Sequence, residues 1–528
     1  MKKWLILGLL LGMLVPAAAQ RNSDWRKQYE AFRQQRNREF QDFKAKANAD
    51  FAEFLKQQWK DFRPNAAVDA PIRVVMPQPE QVPPAEPATQ PLPQPKPDLD
   101  VVRRLADGAE KPAGQTAGGS GTSATSGRNG AGQGANAGSG RGSSANTGGS
   151  VSGNASTAAS GTALSLDFYG DPLRIPWPRG LAPRLSTVGE EGFGAWWGAL
   201  GAETEAAADY LAQYAEQHRL NGWGYYQLAR KVSEAIYPAE RPDERIAMQV
   251  FLLSQWRFRA RAGVCGNRLV LLLPFREQVY AVPYLLVGAE KYYIYSYGHD
   301  RSAGYRTYAN DFAEADRVLS LAMDGTMEVG MKSRIEVPRW SALLGETFAP
   351  MMNVGNLALE MDYPIVDGEV FYRQGVPADL SDAVLGTLRR KIAGKSETQA
   401  VGYLLNLVQN GFEYITDEEA FGRQKQLFIE ESFFYGRNNC KDRVGVFSWL
   451  VRELTGLDVI FIRYEGNAAS DGVSHITCAV GFRGTVEGDA FQYKGRRYVM
   501  CDPTYINAGI GRTMPCYASS KGEIQVYD

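Results

Sequence analysis

The chain is poor in several things that would define a site cheaply. Its five cysteines, at 265, 440, 478, 501 and 516 of 528 residues, are few and odd in number. That argues against a scaffold stapled by disulfides and leaves at least one thiol outside any intramolecular pair. The three histidines, at 218, 299 and 475, form no cluster with one another or with a CxxC pair, so no metal site is expected, and no cofactor motif is present. Net charge is almost absent: 58 Lys+Arg stand against 59 Asp+Glu, which removes any global electrostatic case for nucleic acid. Long apolar runs are also missing. The longest near the N-terminus, Trp4 to Val15, falls short of the roughly 20 residues needed to cross a bilayer, so no transmembrane segment is expected in the mature chain.

That short run, preceded by Lys2 and Lys3 and closed by Pro16, Ala17, Ala18 and Ala19, reads as a secretory signal over 1–19 with cleavage after Ala19. Export to the periplasm or the extracellular space is the expectation. No cysteine follows the cleavage point to take a lipid. Residues 20–63 carry an 11-residue repeat, YEAFRQQRNRE, FQDFKAKANAD and FAEFLKQQWKD, in which Tyr29, Phe40, Phe51 and Phe62 recur, as do Phe32, Phe43 and Phe54. These aromatics fall on one stripe of an amphipathic helix over 25–62. Such an arm could self-associate, lie across a site as a pro-segment, or dock on its own globular body, and docking is the favoured reading. Residues 64–162 are proline-rich and then almost wholly Gly, Ser, Ala, Thr and Asn, an extended and then flexible spacer.

Folded sequence resumes near residue 163. Helical patterns at about 203–218, 223–237 and 243–256 lead into the β-like runs LVLLLPF, VYAVPYLLV and KYYIYSY. The segment ERIAMQVFLLSQW is apolar nearly all round and predicts a buried helix. This makes 163–316 an α+β unit. Residues 317–395 read as a mostly β connection, with MEVGMKSRIEV and TFAPMMNVGNLALEM as strands. The last unit, 396–528, opens on a capping box at Ser396 and Gln399 ahead of a helix ending at Asn410 and Gly411. A second helix begins at Cys440 and stops at Gly456, and strands follow at LDVIFIRY, SHITCAVGF and RRYVMCDPTY.

Three residues of this unit suit nucleophilic chemistry. Cys440 starts a helix, where unpaired backbone amides favour a thiolate. His475 lies on a strand whose alternation turns the imidazole and Thr477 to one face, Ile476 and Cys478 to the other. Asp502 ends the next strand. Antiparallel pairing with His475 opposite Asp502 would let the carboxylate orient the ring; it would also set Cys478 opposite Val499, leaving Cys478 and Cys501 as unbonded diagonal neighbours. His218 and His299 read as surface or structural residues.

A helix-initial cysteine in YGRNNCKDRVGVFSWLVREL, a strand histidine in SHITCAV and an aspartate in YVMCDPTY, in that order, resemble the transglutaminase-like superfamily of the papain-type fold. The resemblance covers about 120 residues. It implies Cys440 as nucleophile, His475 as general acid and base, Asp502 as its orienter, and a protein or peptide substrate. Among side chains, Gln424 and Tyr435 are the candidate oxyanion donors. The loop YEGNAASDGVSH before His475 is longer and more polar than the family pattern and is expected to reshape the cleft. The 163–316 unit looks like a degenerate copy of the same scheme, lacking its cysteine and histidine. Hydrolysis of amides is preferred to protein cross-linking, and a non-catalytic surface scaffold is the alternative.

Overall fold

The computed structural model describes residues 31, 33–36, 38–39, 41–71, 80–82, 163–295, 304–337, 339–341 and 346–527. The expected signal peptide, the repeat positions Tyr29, Phe32 and Phe40, the Gly/Ser-rich segment and His299 lie outside the described residues. Helices and antiparallel sheets are mixed through the chain, an α+β organisation. No helix among the described residues is long and apolar enough to cross a membrane.

The arm is helical over 41–55 and docks on the first unit. Phe51, Leu55 and Trp59 are buried, each contributing on the order of 1.5–3 kcal/mol. Phe51 meets Trp197 and Phe312 with ring centroids 5.0 and 5.2 Å apart, and Trp197 Nε1 donates to Asn48 Oδ1 at 3.0 Å. Gly194 sets the closeness of approach, since a Cβ there would meet Ala52 O at 2.6 Å. The helix does not run to residue 62 as the repeat suggests. Lys60–Phe62 is instead an edge strand paired with Tyr305–Thr307, because after Leu55 the chain gains more by completing a sheet than by continuing a helix whose next turn, KQQW, has one apolar side chain.

That sheet has six antiparallel strands in the order Lys60–Phe62, Tyr305–Thr307, Arg261–Cys265, Arg268–Pro274, Glu290–Ile294 and Tyr284–Val287. The helix Pro242–Gln255, buried along most of its length, packs on Arg268–Pro274 and against the helix Gly222–Ile236. The core around them is aromatic, with Trp196 and Trp197 almost fully enclosed.

The connection over 317–395 differs from its mostly β reading. Strands there are three residues long, such as Arg334–Glu336 paired with Met351–Asn353. The longer elements are helices, Val354–Glu360, Gly368–Arg373 and Ala378–Ile392, and the rest is irregular. NVGNLALE became a helix because Asn353 caps it, its side chain accepting from Gly355 N and Asn356 N; a buried helix and a buried strand look alike in a short apolar run.

In the last unit Ser396 and Gln399 close the expected capping box and the helix spans Glu397–Gly411. It packs on the helix Cys440–Thr455, which ends at Gly456 in the left-handed conformation at φ 65°. The Cys440 helix covers a five-stranded antiparallel sheet in the order Ala490–Tyr493, Arg496–Met500, His475–Gly481, Asp458–Tyr464 and Glu523–Gln525.

Candidate active site

The N-terminus of the Cys440 helix is held by buried polar groups that the sequence reading passed over. Asp442 Oδ2 accepts from Asn439 N at 3.2 Å, and its Oδ1 from Leu427 N at 2.9 Å. Lys441 does not reach solvent: its ammonium donates to both oxygens of Asp417 at 2.7 and 2.8 Å and to Asn439 Oδ1 at 3.0 Å. Asn439 Nδ2 donates to the same Asp417 at 2.7 Å. The residues before and after Cys440 are thereby tied to one carboxylate, so the thiol is held at a defined point of the helix start.

One turn on, Arg443 is fully buried and joins three chain segments. It donates to Asn438 Oδ1 (3.0 Å), Gln409 O (3.3 Å), Pro503 O (3.4 Å) and Phe412 O (2.7 Å). Burial holds its guanidinium down at about 10. Gln409 Nε2 reaches Asp502 O, Tyr505 O and Ala508 O at 2.9, 2.8 and 3.1 Å. The loop that carries Asp502 is thus fastened to the helix that precedes Cys440 and, through Arg443, to the helix that bears it.

Asp502 uses both carboxylate oxygens. Oδ1 accepts from Thr504 N (2.8 Å) and Tyr505 N (3.3 Å), and Oδ2 lies 2.9 Å from His475 Nε2. The Cys440 side chain is the second group that acts on the imidazole. Burial opposes the charged ring, but the Asp502 carboxylate and the Cys440 contact outweigh it and push His475 up to about 10. Tyr517 stacks on the imidazole with centroids 5.2 Å apart at 18°, and Tyr464 stacks on Tyr517 at 5.3 Å. The three candidate residues are therefore brought together, and at 2, 3 and 2 % exposure Cys440, His475 and Asp502 are closed off from solvent.

The strand register is two residues away from the expected one. Val480, not Cys478, stands opposite Val499, and Ala479 opposite Met500; carried on, this sets Thr477 opposite Asp502. The carboxylate reaches His475 diagonally because strand pairing ends before Asp502, whose own turn at Pro503 swings the side chain back. A slip of two residues preserves the faces, so His475 and Asp502 still meet. Cys478 and Cys501 become direct neighbours, with Cys501 N donating to Cys478 O at 2.9 Å and Cys478 Sγ to Cys501 O at 3.2 Å. Both remain free thiols, and burial raises both far above a reactive range.

Gln424 lines a cavity with Lys441 and Ile476, while Tyr435 packs on Phe421 and Phe434, each 5.2 Å away. His218 is structural: Nδ1 sits 2.5 Å from Glu328 O and the ring stacks on Tyr214. The long loop before His475 is pinned, with Asn467 Nδ2 donating to Cys516 O (2.9 Å) and Ser520 Oγ (2.7 Å), and Tyr517 Oη to Val473 O (2.8 Å). It fixes Tyr517, and through it the face of the imidazole. The sequence signal for the missed network was the polar run NNCKDR, in which five polar side chains surround the cysteine at a helix start. Tyr517 left no such signal.

Among the described residues no group of His, Cys, Asp and Glu side chains is arranged to hold a metal ion. The chain matches no family model and no curated protein.

Proposed function

We propose that the C-terminal unit is a cysteine enzyme of the transglutaminase-like, papain-type kind, acting on amide bonds of peptides or proteins. The observation that carries this reading is the 2.9 Å contact of Asp502 Oδ2 with His475 Nε2, buried together with Cys440 at a helix N-terminus. A carboxylate on Nε2 leaves Nδ1 to exchange a proton with sulfur, and the imidazolium beside the thiolate is the resting pair such chemistry needs. Sulfur attacks the amide carbonyl carbon, and the tetrahedral adduct collapses as His475 passes its proton to the departing amine. A thioester to Cys440 remains. Water, deprotonated by His475, then attacks the thioester, releasing the carboxylic acid and restoring the thiol. An amine in place of water would give a transferred amide; hydrolysis is preferred because water needs no second binding site.

The test is the pH dependence of Cys440 alkylation by iodoacetamide, followed by mass spectrometry. With a working pair the rate holds from pH 8 down to about pH 6, well under the ordinary thiol range near about 8.5. In His475→Ala it falls with acidity as a model thiol does. Closure of the site scales the whole profile without changing its shape. A parent profile that follows the model thiol, unchanged by His475→Ala, would sink the proposal and favour a binding scaffold.

A further inference from the structure

The proline-rich stretch was expected to be a solvated spacer, yet both of its described parts lie on the globular body. In the first, Asn65 pairs with Tyr284, and Val68 O accepts from Ala281 N at 2.8 Å. Ala70 and Pro71 then line the cavity that also holds Asp417, Lys441 and Ile476, next to the nucleophile and the histidine.

The second part, Glu80–Val82, sits on the loop of Asp502. Gln81 bridges Ile506 in parallel: Ile506 N donates to Glu80 O (3.1 Å) and Val82 N to Ile506 O (2.9 Å). Asn507 Nδ2 donates to Val82 O at 3.1 Å. Glu80 lies near Cys516, whose neighbour Tyr517 stacks on His475. Val82 packs against the apolar cluster containing Tyr464 and Tyr517. The trio is therefore one side chain away from the imidazole.

The local chemistry is that of strand addition. Gln409 takes the carbonyls of Asp502, Tyr505 and Ala508, whereas both backbone groups of Ile506 are turned to the docked segment. Pro79, Pro83 and Pro84 flank the trio. They have no N–H to leave unsatisfied and pre-set an extended backbone, so docking through the Val82 N–H and two carbonyls costs this sequence little.

We infer that the Ile506 edge is a docking rail for the backbone of an extended peptide, and that Glu80–Val82 fills it as an intramolecular competitor. The docked peptide is a substrate only if the proposed chemistry holds; the docking itself does not need the thiol.

The full chain carrying Glu80→Ala and Val82→Pro, which removes the amide donor, is compared with the parent. The probe is the fluorescein-labelled peptide PQPEQVPPAEP, residues 77–87. The double variant should bind it in fluorescence polarisation while the parent, its rail already filled, does not, and binding should persist when Cys440→Ala is added. Cys440 alkylation at fixed pH should rise about tenfold in the double variant as the open population grows, and unlabelled peptide should return it to the parent rate. Val82→Pro alone, which removes the amide donor to Ile506 O and leaves the rail itself untouched, should act in the same direction and guards against misfolding of the double variant. Absence of peptide binding in both folded variants, or alkylation unmoved in both, overturns the rail. A thiol-like pH profile with peptide binding intact overturns the chemistry alone.

Discussion

The two α+β units share a packing order and differ in what they bury at the point where a nucleophile would stand. In each, one helix lies on a second helix that covers an antiparallel sheet: Gly222–Ile236 and Pro242–Gln255 in the first, Glu397–Gly411 and Cys440–Thr455 in the second. The covering helix of the first unit starts at Pro242, and Asp243 there accepts from Leu269 N at 2.7 Å and from Arg268. That is a helix-to-strand contact and a partly exposed ion pair. At the same point the second unit encloses Asp417, Lys441, Asp442 and Arg443, with His475 and Asp502 opposite. Buried charge is costly unless it is paired and bonded throughout, so a fold that needed only stability could have used the aromatic core of its neighbour. Concentrating such groups around one thiol is what the proposed chemistry would require.

The sharpest way to break this contrast is Asp502→Asn. It should lower the alkylation rate of Cys440 at pH 6 by on the order of 100-fold or more, because the ring loses the partner that holds its charge and tautomer. No substitution of Asp243 in the first unit should touch that rate.

Stability gives the next effect. Asp417→Ala strands the Lys441 ammonium in the interior and should cost about 3–5 kcal/mol in urea unfolding, and pairing it with Lys441→Met should recover most of the loss. In the first unit the exposed pair Arg257 and Asp316 should show no measurable change in unfolding midpoint on Asp316→Ala.

A smaller and oppositely signed effect is expected at Glu430. Burial pushes this carboxyl up to about 8, and its Oε1 has no hydrogen-bond partner among the described residues. An acid whose folded value lies above its ordinary 4.5 keeps a proton that the unfolded chain releases. The native state therefore loses ground as pH rises from about 4.5 towards about 8. Glu430→Gln should flatten that part of the stability profile and raise the thermal midpoint at pH 7.5. A steeper profile in the variant would refute the reading.

The mildest prediction concerns the arm. Gly194→Ala places a methyl against Ala52 O and should cost about 1–3 kcal/mol of docking, seen as faster proteolysis within residues 41–59. Alkylation of Cys440 should stay as it was, since the arm helix lies on the first unit.

Much of the local structure was legible in the residues. The Ser396 and Gln399 box, the stop at Gly456 and the apolar pattern nearly all round the helix before Trp256 each act within a turn or two, where backbone sterics and capping decide the outcome. The linear order of Cys440, His475 and Asp502 also singled out the three side chains on which the proposed chemistry rests, because few residue types can serve as thiolate, base and orienter. Signals failed where one pattern suits two structures: the short apolar run after Asn353 became a helix, and the aromatic repeat ended in a strand.

Sequence by itself thus determined which segments become helix or strand at these well-marked ends and which three side chains could form a reacting set. Tertiary structure alone decided the strand register that brings Asp502 to His475 diagonally, the stacking of Tyr517 on the imidazole, and the seating of Glu80–Val82 on Ile506. The physical reason is separation along the chain. Those contacts join residues tens to hundreds of positions apart, and their free energy exists only once the sheet and its covering helix have brought the partners together.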